Sequence, residues 1–201
     1  MYVEGPSDEL DDPADRRAPG RDSPPEAVPG SRAGAETIEV VVEIPKGSRN
    51  KYEFDHERHV MRLDRRLFSA TTYPADYGYV PDTLAEDGDP LDALVLVEDA
   101  TFPGCWVRAR PLGVFYMEDE KGRDAKLLCV PDGDPMWERV ADLSELPDQL
   151  LQEIRHFFDV YKMLEPHKVS STIGYAGLDA ARAEVEACRR RARDAPASRA
   201  P

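Results

Sequence analysis

The sequence predicts a mainly β domain of the α+β class, with its strands first and its helices at the C-terminal end. Three features carry that expectation. Between Thr37 and Val130 the apolar residues fall into short β-branched or alternating runs divided by Gly, Pro and Asp, the pattern of strands and turns. From Leu150 to Leu164 apolar residues recur at three- and four-residue spacing, the period of a helix with one apolar face. Ahead of both, residues 1–36 hold six prolines and nine acidic residues, too polar a stretch to offset the entropy of ordering. A disordered acidic tail is expected over 1–36, a folded domain over 37–194, and a second disordered tail over 195–201.

The elements follow in order. Thr37–Ile44 is β-branched and bounded by Pro45 and Gly47, so it reads as a strand with Glu43 near its far end. Lys51–Asp55 alternates, placing Lys51, Glu53 and Asp55 on one face and Tyr52 and Phe54 on the other. Val60–Arg65 also alternates without a clean apolar face, which suits a strand bordering a polar site. Tyr73-Pro-Ala-Asp-Tyr77-Gly-Tyr carries turn chemistry, and its tyrosines are either the edge of a core or hydroxyl donors to a ligand. Ala93–Val97 is a continuous apolar run, a buried strand with Asp92 at its mouth. Trp106–Met117, interrupted by Pro111 and Gly113, is a bent strand or a strand pair.

Gly122 lies at the centre of the acidic segment Glu118–Lys126, which predicts a hairpin loop returning into Leu127–Val130, with Asp124 and Lys126 on one side. The rest of the domain is expected to be helical. Pro147 fits a first helical position, and Leu150, Ile154, Phe157, Tyr161 and Leu164 form the stripe that ends before Pro166, with Tyr161 and Lys162 in the last turns. Leu178–Arg193 is a second helix, rich in Ala, Glu and Arg.

Composition limits the function. A formal charge of -14 argues against a nucleic-acid or anionic-membrane surface, which basic faces serve. Cys105, Cys129 and Cys188 are odd in number and lack CxxC spacing, against a disulfide framework or a zinc site. No apolar run approaches a membrane span and the N-terminus lacks the look of a signal peptide, so a cytoplasmic location is expected.

Chemistry concentrates at Asp87-Gly-Asp89-Pro-Leu-Asp92. Three carboxylates in six residues repel one another, and a cation between them is one remedy; a solvated acidic turn is the other reading. The oxygen-only donors would suit Mg²⁺ or Mn²⁺ rather than zinc, and an EF-hand loop fits poorly because its glycine and closing glutamate are misplaced. Taken with the acidic segment at Glu118–Asp124 and with several Lys, Arg and Tyr residues, the pattern suits a small polyanion held through metal ions, and pyrophosphate is such a substrate.

These residues resemble the soluble family I inorganic pyrophosphatases of bacterial type. The pattern Asp-Gly-Asp-Pro-hydrophobic-Asp is intact at Asp87–Asp92. Glu43-Ile-Pro, Lys51-Tyr-Glu53, Asp64-Arg65, Tyr73-Pro-x-x-Tyr77-Gly-Tyr, Asp119-Glu-x-Gly-x-Asp124-Ala-Lys126 and His156-Phe-Phe-x-x-Tyr161-Lys162 follow in the family's order. The resemblance spans about residues 37–168 and implies a five-stranded, OB-like closed barrel with flanking C-terminal helices. It implies hydrolysis of pyrophosphate to two phosphates with several Mg²⁺ ions per site, Mn²⁺ being a possible substitute. Asp87, Asp92 and Asp124 would bind one ion, Asp92 would share a second, Asp119 and Asp124 would hold a third, and Glu43 and Glu53 would act through metal-bound waters.

By the same resemblance Lys51, Arg65, Lys126, Tyr161 and Lys162 would hold phosphate oxygens, with Tyr77 a further contact. The nucleophile would be a water bridging two metal ions, with Asp89 as general base and Asp124 the second candidate. A homo-oligomer, a hexamer by family analogy, is implied as well. The sequence departs from the family in its long N-terminal tail, in Val160 where bacterial relatives often carry a second histidine at a subunit contact, and in Tyr175 where the aromatic is often Trp. Two other functions compete: a phosphohydrolase acting on nucleotides or polyphosphate, which needs an aromatic pocket for a base, and a non-catalytic metal-binding barrel, which would be expected to have lost some of these residues.

Overall fold

The computed structural model describes residues 35–56, 58–119, 122–168 and 170–195; the tails expected at 1–36 and 195–201 lie outside them apart from Ala35, Glu36 and Ala195. Along the chain the strands are β1 (Ile38–Ile44), β2 (Asn50–Asp55), β3 (Val60–Arg66), β4 (Asp76–Val80), β5 (Leu91–Val95), β6 (Trp106–Asp119), β7 (Gly122–Pro131) and β8 (Ser170–Gly177). Helix α1 (Asp148–Val160) precedes β8 and helix α2 (Leu178–Asp194) follows it. The chain is therefore mainly β with two helices. One sheet has the strand order β1-β4-β5-β7-β6-β8, and β2 and β3 form a separate antiparallel pair. Within the large sheet β5 and β7 are parallel, whereas the other pairings are antiparallel. β1 also pairs with the start of β6, Ile38–Val41 lying against Ala109–Trp106.

Both faces of the central strands are covered, which is why β5 reads as an unbroken apolar run. Leu91, Ala93 and Val95 join Val114, Leu127, Cys129 and the α2 residues Ala181, Val185 and Cys188 in one core. Leu94 and Leu96 join Ile44, Phe115, Leu128 and the α1 residues Ile154, Phe157 and Phe158 in the other. By strand alternation, Asp92 on β5 and Asp124 and Lys126 on β7 point to the α1 side. Helix α1 thus walls the same face that carries the charged residues.

The structure corrects three expectations. Tyr73–Tyr79 is not loop throughout, because Asp76–Val80 is a fully buried strand. Its glycine marks a close approach rather than a turn: a Cβ on Gly78 would run into the Val41 carbonyl of neighbouring β1. The chain after Leu143 is not all helical, since Ser170–Gly177 pairs with β6 as β8. That strand is rich in Ser, Thr and Gly and alternates only weakly in burial, so it lacks the apolar period of a typical strand. Helix α1 ends at Val160; Tyr161 is its C-cap and Lys162 lies in the turn beyond. Leu164, the last member of the expected stripe, is exposed.

The bent strand or strand pair at Trp106–Met117 is a single strand whose register with β7 shifts between Pro111 and Gly113. There the proline removes a backbone donor, and the glycine admits the Ala176 carbonyl of β8, 2.6 Å from where a Cβ would stand. Gly78→Ala is expected to lower stability by about 1–3 kcal/mol through forced separation of β1 and β4, measurable as a lower denaturant midpoint at unchanged slope.

Candidate active site

The parallel pairing of β5 with β7 sets Asp92 opposite Lys126. Lys126 is buried, and its Nζ donates to Asp92 Oδ2 at 2.7 Å, to Asp124 Oδ2 at 2.8 Å and to the Tyr77 hydroxyl at 3.0 Å. Tyr77, on β4, donates its own proton to Asp92 Oδ2. Burial disfavours the ammonium charge, but Asp92 and then Asp124 outweigh it, and the lysine is held protonated well above its ordinary range. Asp124 is pushed up to about 6, mainly by burial, with Lys126 pulling it down and Asp92 adding to the rise.

A cleft of about 420 Å³ opens beside this group, lined by Glu43, Lys51, Glu53, Asp87, Asp89 and Asp92, with Tyr77 at its base. Glu43, on β1, accepts the Phe54 N–H at 2.8 Å and is pushed up to about 7, chiefly by burial. Lys51 on β2 pairs with Glu53 and lies 3.6 Å from Asp64 on β3. Asp64 in turn pairs with Arg65. Asp87 and Asp89 are exposed on the loop before β5, where the Asp89 N–H donates to Asp87 Oδ1 at 3.1 Å. At the end of β6, Asp119 accepts the Lys162 ammonium at 2.9 Å, and the buried Tyr161 ring lies 5.5 Å from the same nitrogen.

The expected residues therefore fall into three linked groups rather than one shell. The cleft gathers Glu43, Lys51, Glu53, Asp87, Asp89, Asp92 and Tyr77. Lys126 ties Asp92 to Asp124, while Asp119, Tyr161 and Lys162 form a group at the α1 C-terminus, and Arg65 is joined to the cleft through Asp64 and Lys51. Among the described residues no three Asp, Glu, His or Cys side chains converge closely enough to hold a metal ion as they stand. The ammonium of Lys126 lies between Asp92 and Asp124 instead. A hard divalent ion still fits the chemistry, because the cleft's donors are carboxylate oxygens, and Glu43 in the cleft and Asp124 beside it are both pushed towards neutrality by burial and like charge.

Some contributors escaped the sequence reading. Glu165 is buried and grips Arg65 at two points, Nε to Oε1 at 3.2 Å and Nη2 to Oε2 at 3.0 Å. A lone Glu between Leu164 and Pro166 gives no signal of that contact, whose partner is 100 residues away. Phe54, His56 and Tyr79 line the cleft as an aromatic wall, with His56 5.0 Å from Phe54 and 5.5 Å from Tyr79 between ring centroids. Alternation already put Phe54 on a face with Tyr52, but nothing in the sequence brought Tyr79 to it.

A cleft edged by carboxylates and backed by Lys, Arg and Tyr groups suits a phosphate-rich anion taken together with cations. The family model described as inorganic pyrophosphatase matches residues 40–193. The chain is 57% identical to an inorganic pyrophosphatase of Methanosarcina acetivorans over 71% of its own length and 84% of that protein's. It is 54% identical to one of Streptomyces coelicolor over 78% of its length and 96% of the relative's. The solved inorganic pyrophosphatase of Thermus thermophilus superposes with a TM-score of 0.78 at 43% identity, covering 83% of this chain and 97% of that one. The chain belongs to the family I inorganic pyrophosphatases.

Two outcomes follow from the charges. Lys126→Met is expected to cost up to about 3–5 kcal/mol in metal-free protein, because it leaves two partly buried carboxylates without their buried cation; added Mg²⁺ should recover part of the loss in a thermal melt. Glu43 and Asp124 have folded-state pKa values raised from 4.5 to about 7 and from 3.8 to about 6, so both favour the protonated folded form. Their contribution is fully present below about pH 4 and is lost as pH rises through about 6 to 7. Metal-free protein should lose this stability over that window, whereas Mg²⁺ affinity by calorimetry should rise across it as the ion displaces the protons.

Proposed function

We propose that the chain catalyses Mg²⁺-dependent hydrolysis of inorganic pyrophosphate to two phosphates at the carboxylate-lined cleft. The observation that carries this reading is the meeting of Asp87, Asp89 and Asp92 with Glu43, Glu53 and Lys51 around one cleft, in a chain whose family is that of the inorganic pyrophosphatases. Asp87, Asp92 and Asp124 would hold one Mg²⁺, with Asp92 sharing a second and Asp119 and Asp124 holding a third, while Glu43 and Glu53 would reach ions through water. Mn²⁺ would substitute. Bound ions would offset the charge of the pyrophosphate and lower the pKa of the attacking water.

The protein's own groups do the rest. Lys51, Arg65, Lys126, Tyr161 and Lys162, with Tyr77, bind phosphate oxygens and carry the charge that builds on the leaving phosphate. Asp89 is the general base: it takes a proton from water as the water oxygen bonds to one phosphorus and the bond from that phosphorus to the bridging oxygen breaks. Its place supports the role, since the loop holds its backbone at both ends, through Asp87 and through the Ala85 N–H, while the residue itself is exposed and lines the cleft. Asp124 is the second candidate for the base. Glu165 would orient the Arg65 guanidinium.

In the same reading five of the six strands of the large sheet, β1, β4, β5, β7 and β6, form an OB-like closed barrel, a view supported by the pairing of β1 with both β4 and β6. The folded domain spans 37–194 and works as a cytoplasmic homo-oligomer, a hexamer by analogy with the family. Purified protein is expected to release phosphate from pyrophosphate with Mg²⁺ and not in the presence of a chelator, and Asp89→Asn to lose about 100-fold or more in kcat. Release that survives Asp89→Asn would move the base to another carboxylate; faster turnover of ATP than of pyrophosphate would favour a nucleotide phosphohydrolase using the Phe54, His56 and Tyr79 wall.

A further inference from the structure

The acidic loop is not held by the sheet alone. Thr83 is fully buried at its base and bridges the two sides, its hydroxyl donating to the Val80 carbonyl at 2.6 Å and accepting the Leu91 N–H at 2.9 Å. Across the neck the Ala85 N–H donates to the Asp89 carbonyl at 2.7 Å, and Gly88, at φ +92°, turns the tip. The remaining anchor comes from the end of α2, more than 100 residues later in the chain. The Leu84 N–H donates to the Cys188 carbonyl at 3.1 Å, and Arg191 Nη1 donates to the Leu84 carbonyl, also at 3.1 Å. The other arm of the same guanidinium meets Glu86 at 3.3 Å.

We infer that Arg191 is a positioning residue, which shapes the Asp87–Asp92 loop for divalent cations by clamping Leu84 and Glu86 to the last turns of α2; the inference rests on the proposed function of that loop. The planar fork suits this task, because one arm takes a backbone carbonyl and the other a carboxylate without losing charge. Charge gives the clamp its purpose. Glu86, Asp87 and Asp89 lie within four residues, and Glu184 approaches the same guanidinium to 4.0 Å. Without Arg191 the segment would keep its neck at Ala85 and the Leu84 N–H bond to Cys188 but lose the hold on the Leu84 carbonyl and on Glu86, and like-charge repulsion would splay it. Arg191 touches neither Asp87 nor Asp89, so its effect must pass through Leu84 and Glu86. Groups that support metal ligands in this indirect way commonly matter tenfold or more to affinity.

The test compares full-length wild type with Arg191→Ala, Arg191→Lys and Arg190→Ala, the last removing a neighbouring exposed charge from the same helix. Mn²⁺ binding to substrate-free protein is read by electron paramagnetic resonance, beside the Mg²⁺ dependence of phosphate release. Arg191→Ala is expected to raise the Mn²⁺ dissociation constant and the Mg²⁺ half-saturation about tenfold. Its kcat at saturating Mg²⁺ should change by about twofold at most, and Arg190→Ala should match wild type. Arg191→Lys, which keeps the charge but not the fork, should fall between, and it carries the test if the alanine variant does not fold. Wild-type Mn²⁺ binding in the folded Arg191 variants, or an equal loss in Arg190→Ala, would overturn the assignment. Wild type that binds Mn²⁺ but releases no phosphate would overturn the proposed function instead, leaving the Mn²⁺ comparison to judge the clamp.

Discussion

Asp92 and Asp124 lie on neighbouring parallel strands, and both carboxylates share the buried ammonium of Lys126, which also donates to the Tyr77 hydroxyl. Burial favours the neutral form of Asp124, and the ammonium of Lys126 opposes it while the neighbouring charge of Asp92 adds to it. The lysine in turn could not stay charged without them. The whole stability of a domain is about 5–15 kcal/mol, so a group of this kind weighs heavily in the balance of the fold. It persists because the same strands must present negative charge at the cleft, and one internal cation makes that tolerable.

The remaining architecture serves this arrangement. The β5–β7 pairing fixes the register that brings Asp92 to Lys126, and the β4–β5 pairing places Tyr79 opposite Asp92, with Tyr77 two residues along on the same face. Helix α1 covers the face with Ile154, Phe157 and Phe158, which keeps water from the lysine and strengthens its ion pairs. The end of that helix then delivers Tyr161 and Lys162 to Asp119. The loop carrying Asp87 and Asp89 lies in the open, as does Glu53 across the cleft.

Much of this was legible in the sequence, and the failures have physical causes. β1 and β5 were plain as short apolar, β-branched runs and α2 by its helical composition, and their observed bounds differ from the expected ones by a residue or two. β4 was hidden because Gly78 and Pro74 signal turns, whereas the glycine exists to let two backbones meet. β8 was hidden because a weakly buried edge strand of Ser, Thr and Gly carries no period. The acidic hexapeptide gave away the cleft, and strand alternation placed Asp124 with Lys126. What no local pattern reveals is pairing at long range: Glu165 with Arg65, and Arg191 with Leu84, are set by topology rather than by neighbouring residues. Lys126 lying between Asp92 and Asp124 was equally unreadable, since a whole strand, β6, and a hairpin turn separate Asp92 from Lys126 in sequence.

The most direct test of a cation-loaded pyrophosphate site is a crystal structure grown with Mn²⁺ and a non-hydrolysable pyrophosphate analogue, with the ions located by anomalous scattering. The account predicts Mn²⁺ peaks against Asp87, Asp92, Asp119 and Asp124, and analogue oxygens within hydrogen-bond reach of Lys51, Arg65, Lys126, Tyr161 and Lys162. Mn²⁺ bound elsewhere, or an analogue that avoids the cleft while Lys126 keeps its hold on Asp92 and Asp124, would contradict it.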